Sequence, residues 1–181
     1  MSVTKLSIRD LCYISIFTAI IAVCAQISIP MPVGAVPLTL QTFAIMLAGA
    51  VLGIRNGTLS AVLYVLLGAV GAPVFALFTG GIGIVIGPTG GFILTFPLLA
   101  LAAGIGMQKD SRLRLSLWIA IGTAVNYAGG ILMYSIMTST SLHASFIIMM
   151  QFLPTDIIKI IIAVALSTPL KQALIKSSIL R

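Results

Sequence analysis

The chain of 181 residues holds only three acids, Asp10, Asp110 and Asp156, and the last stands three positions before Lys159 in an otherwise apolar run. A carboxylate and an ammonium spaced i, i+3 share one side of a helix and can meet. Near mid-membrane each costs at least about 2.5–3.5 kcal/mol on insertion scales. Three uses would repay that cost: polar groups lining a substrate cavity, a self-contained structural ion pair, or a proton relay. Buried pairs are poor stabilisers in themselves, which favours the cavity. Counting back from Lys171 at the inner interface, Asp156 lies fifteen residues up, in the outer third of a bilayer. Pro154 fits the first turn of that helix, so Asp156 also meets its positive end.

The stretch 71–91, with seven glycines and two prolines, is the second candidate. Irregular backbone at membrane depth is tolerated only where protein or a water-filled cavity covers it. Its glycines permit close approach and offer N–H groups to a small ligand; the alternative is a loop packed between helices. Gln41 and Thr42 open an apolar span and are either solvated or ligand contacts. Asn126 and Tyr127 read as interhelical hydrogen bonds, and His143 as a solvated residue. Ser15, Thr18, Ala19, Ala22 and Ala25 put small side chains on one broad side of another span. That side is either a helix-docking surface or ordinary internal packing.

The elements that must position these residues follow from composition. Hydrophobic residues make up 60% of the chain, charged residues 7%, and mean hydropathy is +1.22; neither a soluble surface nor a disordered chain can be built from that supply. The expected fold class is an all-α integral membrane protein, one domain over 1–181. Six helices of about 20 residues would take up roughly 120 of them. The spans fall near 11–27, 38–53, 58–70, 92–107 and 115–137, with a sixth inside 146–169 interrupted by Pro154. The turn signal Arg55-Asn56-Gly57 parts the second from the third.

Basic residues set the orientation. Lys5, Arg9, Arg55, Lys109, Arg112, Arg114, Lys171, Lys176 and Arg181 fall on one side, while 28–37, 71–91 and 138–145 hold no lysine or arginine. Nine of ten on one side predicts a multi-pass protein of the cell membrane with both termini cytoplasmic. Lys5 and Arg9 before an apolar run resemble a signal peptide, but no small-residue cleavage site stands out, so the first span is expected to remain.

Other classes are disfavoured. The net charge of +7 would indicate nucleic acid only on one exposed face, and the basic residues are scattered between spans. Cys12 and Cys24, twelve residues apart on one helix, are roughly 18 Å apart along its axis, too far for a disulfide. A single histidine leaves no Cys/His metal cluster. No GxGxxG occurs and no glycine precedes Lys-Ser/Thr, so no nucleotide cofactor is expected. No nucleophile–base–orienter set supports an enzyme.

Five segments stand in order: Val36-Pro-Leu-Thr-Leu-Gln-Thr42, Leu67-Gly-Ala-Val-Gly-Ala-Pro-Val-Phe75, Gly80-Gly81, Gly87-Pro-Thr-Gly-Gly-Phe92 and Leu153-Pro-Thr-Asp-Ile-Ile-Lys159. Over about residues 10–170 the chain resembles the BioY family, the biotin-binding S components of energy-coupling-factor (ECF) transporters. The resemblance implies six transmembrane helices and a Gly-rich outer loop covering an outward-facing pocket, under loops from the first and third outer connections. It implies biotin as ligand, with Asp156 and Lys159 as contacts and Gln41, Phe75, Gly81, Gly90 and Gly91 beside them. It also implies an ECF membrane scaffold and ATPase subunits as partners, docked on the side bearing Ser15, Thr18, Ala19 and Ala22. Two departures stand out: Thr155 replaces a frequent glycine, and the family's Ala-x-x-x-Ala is imperfect, Ala19 being followed at i+4 by Val23.

The leading expectation is therefore high-affinity biotin uptake. The alternatives are an S component for another vitamin and an ion-coupled carrier of a small polar solute. One carboxylate, one ammonium and backbone N–H groups suit biotin's ureido group and anionic valerate.

Overall fold

The computed structural model describes residues 6–31, 36–109 and 111–176. Lys5, Asp110, Arg181 and the Pro32-Val-Gly34 part of the proline-rich connection lie outside the described residues. Helix α1 (Ile8–Gln26) starts on a reciprocal cap: Ser7 Oγ accepts from the Asp10 N–H, and Asp10 Oδ2 accepts from the Ser7 N–H at 2.9 Å. A short antiparallel pair, β1 (Ser28–Ile29) with β2 (Leu38–Thr39), returns the chain to α2 (Gln41–Ala69).

Helix α2 is two arms. Gly53 breaks it with φ 79° and ψ −178°, a conformation in which a side chain would be strained. The second arm lies back along the first. Gly57 presses on the Ala48 carbonyl and the Gly49 backbone, so closely that no Cβ fits. The Gln41 amide reaches the Tyr64 hydroxyl at 2.5 Å, across 23 positions of sequence. The reversal thus falls at Gly53, not at Arg55-Asn56-Gly57, which are helical. Gly57 serves close packing of the arms rather than a turn.

The glycine-rich stretch is structured. It forms a tight turn over 75–79, a one-turn helix α3 (Ile82–Val85) and the entry to α4 (Gly90–Gly106). Helix α4 is wedged between α2 and α5 (Arg112–Thr138): Gly49 abuts Ala100, Gly104 abuts Ile54, and Gly91 abuts Gly129. Last come the short α6 (Leu142–Met150) and α7 (Leu153–Lys176), with Pro154 in the first turn of α7 as its missing N–H allows. The region anticipated as one interrupted sixth span is therefore two helices.

Among the described residues five helices, α1, α2, α4, α5 and α7, are long and apolar enough to cross a membrane. Large apolar side chains cover much of the described surface, and a few polar groups are buried within an apolar core. Ile157, Ile158, Ile161 and Ile162 of α7 are exposed, while Asp156, Lys159 and Gln41 are buried. At one end Asn56 Nδ2 donates to Asp10 Oδ1 at 2.8 Å, and Gly53, Gln108 and Lys171 border a common hollow. The other end carries a cavity.

Candidate functional site

A cavity of about 260 Å³ opens at that end, lined mainly by apolar groups that include Phe75, Phe92, Phe96 and Phe152. Small-molecule sites have this character, a mostly apolar wall with few converging polar groups. The polar groups are held by three helices. Helix α7 supplies Asp156 and Lys159, whose Nζ lies 2.7 Å from Asp156 Oδ1. Helix α5 supplies Tyr127, whose hydroxyl donates to Asp156 Oδ2 at 2.7 Å. Helix α2 supplies Thr42, whose Oγ1 lies 3.3 Å from Lys159 Nζ and 3.4 Å from Asp156 Oδ1.

Asp156 and Lys159 are 5% and 7% exposed, and each is compensated by the other, so burial strands neither charge. Among the described residues that line the cavity they are the only charged ones, which leaves the wall net neutral.

Gln41 lines the cavity and belongs to a second chain of bonds. Thr39 Oγ1 donates to Gln41 Oε1 at 2.7 Å, Gln41 Nε2 donates to Tyr64, and the Tyr64 hydroxyl donates to the Val74 carbonyl at 3.0 Å. That chain fixes the start of α2 against the loop before Phe75. Phe75 is buried, meeting Tyr64 edge-on at 5.5 Å between ring centroids, and its ring fills the space that a side chain at Gly68 would need.

The three expected glycine contacts lie elsewhere. Gly90 is packed on the Val85 carbonyl and Gly91 on the Gly129 carbonyl, where any Cβ would collide. Gly81 takes φ 102° before α3 and donates its N–H to the Gly68 carbonyl at 2.7 Å. None of the three borders the cavity, so they shape its walls from behind. Gly83 and Gly87 of the same stretch do border it. The cavity's loop residues fall in 28–37 and 71–91, and among the described residues none of the lining comes from 138–145, the third connection that the resemblance implied.

The small-residue side of α1 is divided. Ser15 and Ala19 face outward, whereas Thr18 is buried and its Oγ1 bonds the Ser60 carbonyl at 3.0 Å. Ala22 is half-buried against the core. Thr155, the residue in place of glycine, satisfies its hydroxyl on the Phe152 carbonyl without interrupting α7.

Thr42, Tyr127 and Asn126 matter more than their sequence context indicates. Asn126 donates to the Phe92 carbonyl and to Thr95, the interhelical bonding expected of it, and it also borders the cavity. Two adjacent polar side chains, Asn126 and Tyr127, in mid-helix were the available signal.

The BioY family profile matches residues 1–176. The biotin transporter BioY of Thermotoga maritima is 39% identical over 167 residues, 91% of this chain and 96% of that protein. The probable biotin transporter BioY of Pyrococcus horikoshii is 48% identical over 101 residues, a match spanning 56% of this chain and 61% of that relative. A crystal structure of the S-component for biotin from an ECF-type ABC transporter superposes with a TM-score of 0.86 at 26% identity, covering 93% of this chain and 95% of that one. Matched along nearly its whole length in sequence and in fold, the chain belongs to the BioY family.

Proposed function

We infer that this chain is a biotin transporter subunit, the substrate-binding S component of an ECF-type vitamin transporter, and not an enzyme. The observation that carries the reading is the buried, mutually compensated Asp156–Lys159 pair on the wall of an apolar cavity, in a chain of this family.

Asp156 accepts from the ureido N–H groups and Lys159 donates to the ureido carbonyl. The net-neutral wall supports this pose, since it offers a carboxylate no uncompensated cation, and the uncharged bicyclic end is cheaper to bury. The valerate then points to the mouth. The reverse pose, with Lys159 on the carboxylate, has in its favour that Lys159 is the sole cation among the described lining residues. Gln41 and Phe75 hold the wall beside the ligand.

The chain crosses the cell membrane six times, through α1, both arms of α2, α4, α5 and α7, with both termini cytoplasmic. The break at Gly53 and the placement of nine basic residues on one side support that path. An ECF membrane scaffold and its ATPases bind along the exposed Ser15 and Ala19 of α1, where small side chains permit close helix approach.

Equilibrium binding of labelled biotin to the purified protein tests the reading, with other vitamins as competitors. Saturable binding that only biotin and its close analogues displace is expected. Displacement by an unrelated vitamin at equal concentration would reassign the ligand.

A further inference from the structure

The turn over 75–79 closes one side of the cavity through Phe75, Ala76, Leu77 and Thr79. Its backbone is unusual. Leu77 and Phe78 are consecutive non-glycine residues with φ of 58° and 55°. Such a pair persists only where its surroundings over-determine it. Inside the turn, the Phe75 N–H donates to the Thr79 carbonyl at 2.9 Å, and Thr79 Oγ1 donates to the Ala76 carbonyl at 2.8 Å. From outside the turn, Tyr64 of α2 bonds the Val74 carbonyl and packs on Phe75, and α1 supplies a second hold.

Gln26, the last residue of α1, grips the turn with both ends of its amide. Nε2 donates to the Phe75 carbonyl at 3.1 Å and to the Val74 carbonyl at 3.4 Å, while Oε1 accepts from the Phe78 N–H at 2.8 Å. Nε2 also bonds the Ala22 carbonyl of its own helix at 3.1 Å, which fixes the side chain before it reaches the turn. Three carbonyls on one end and an N–H on the other settle which end is nitrogen. One neutral side chain thus holds the chain before the left-handed pair and within it at once, and its carbonyl caps the Phe78 N–H. A charged residue could not do both: a carboxylate has no donor for Val74 and Phe75, and an ammonium has no acceptor for Phe78.

We propose that Gln26 is the latch of this turn, a positioning residue that sets how fast ligand enters and leaves the cavity without touching it. The proposal rests on the reading of the cavity as a biotin site. Gln26 does not line the cavity, so its bonds to the turn do not compete with a ligand for the same atoms. Loosening it makes opening easier with the cavity filled or unfilled. Association and dissociation therefore accelerate together and affinity stays nearly constant. A residue that merely supported the fold would quicken exchange in α2 and α4 as well, and a ligand contact would raise dissociation alone.

Two variants separate the bonds from the packing: Gln26→Ala removes both, while Gln26→Met keeps the length and loses only the hydrogen bonds. Hydrogen–deuterium exchange of the segment 74–79 reads the turn directly, without ligand. Filtration kinetics with tritiated biotin read its consequence. In both variants faster exchange is expected in that segment, with α2 and α4 unchanged. Both biotin rates should rise by about tenfold, the change that about 1.4 kcal/mol of lost bonding produces, with Kd moving less than about threefold.

Wild-type exchange in 74–79 of Gln26→Met overturns the latch. So does faster exchange with unaltered biotin rates, or a rise in dissociation alone. If the wild-type protein binds no biotin, the ligand assignment fails, and the exchange measurement still decides whether Gln26 holds the turn.

Discussion

Tyr127 and Asp156 join α5 to α7 by one hydrogen bond of 2.7 Å, which the tyrosine donates to the carboxylate oxygen that Lys159 leaves unused. The Asp156 carboxylate is aimed by three donors from three helices, Tyr127 of α5, Lys159 of α7 and Thr42 of α2. Aim of this kind matters more than charge where a ligand is neutral at the recognised end.

Tyr127→Phe keeps the ring, including its edge-on contact with Phe92 at 6.0 Å between centroids, and deletes the donor. A bond to a charged group contributes about 1.5–3 kcal/mol, so thermal stability should fall by an amount of that order. Biotin binding should weaken but persist. Calorimetry of the free and the loaded variant checks both.

Asp156→Asn and Lys159→Ala each strand the opposite group and should lose about 3–5 kcal/mol of stability along with biotin affinity. The double replacement Asp156→Leu with Lys159→Met leaves no buried charge and should recover most of the stability while binding remains lost. Recovery of binding in the double variant would make the pair purely structural. Amide-capped biotin adds the pose: both forms should bind the wild type within a few-fold. A heavy loss on capping that disappears in Lys159→Ala would establish the reverse orientation.

Topology is testable with single cysteines at Ser111 and at His143 in a variant lacking Cys12 and Cys24. In intact cells, an impermeant thiol reagent should modify position 143 and spare 111. Modification at 111 would invert the proposed orientation.

The divided face of α1 makes a paired prediction. Ala19→Trp, on the outward side, should reduce co-purification of the membrane scaffold and leave biotin binding near wild type. Thr18→Trp, directed at Ser60, should instead destabilise the isolated protein, since overpacking costs typically about 1–3 kcal/mol. Intact assembly with Ala19→Trp would remove that face from the interface.

Legibility in the sequence followed the physics of each residue. Asp156 and Lys159 stood out because ionised groups in lipid demand a reason, and both prove buried on the cavity wall. Thr42, read as either solvated or a ligand contact, and Tyr127, read as an interhelical bond, stay undecided in sequence, because only tertiary placement aims them at Asp156. Glycine misled in both directions. Gly57 looked like a turn and Gly90 and Gly91 like ligand contacts, yet all three are places where helices or backbones touch. Gly53, the actual break, sits in an apolar run with no polar neighbour to its N-terminal side. A glycine's reason for being a glycine lies in what faces it, which one chain of letters does not display.

The early break at Gly53 has a consequence for where ligand is captured. Residues 41–52, twelve positions at 1.5 Å each, make an arm about 18 Å long, against roughly 30 Å of hydrocarbon. If α2 crosses as two arms, the first stops well short of the outer lipid surface. Gln41 and Thr42 then lie at its end, below the headgroups, and the loops that roof the cavity fill the missing depth. On the proposed six-span path the entrance sits level with lipid rather than above it. Bilayer thickness then becomes a variable of capture, with long-chain lipids expected to crowd the rim and short-chain lipids to lay it open to water.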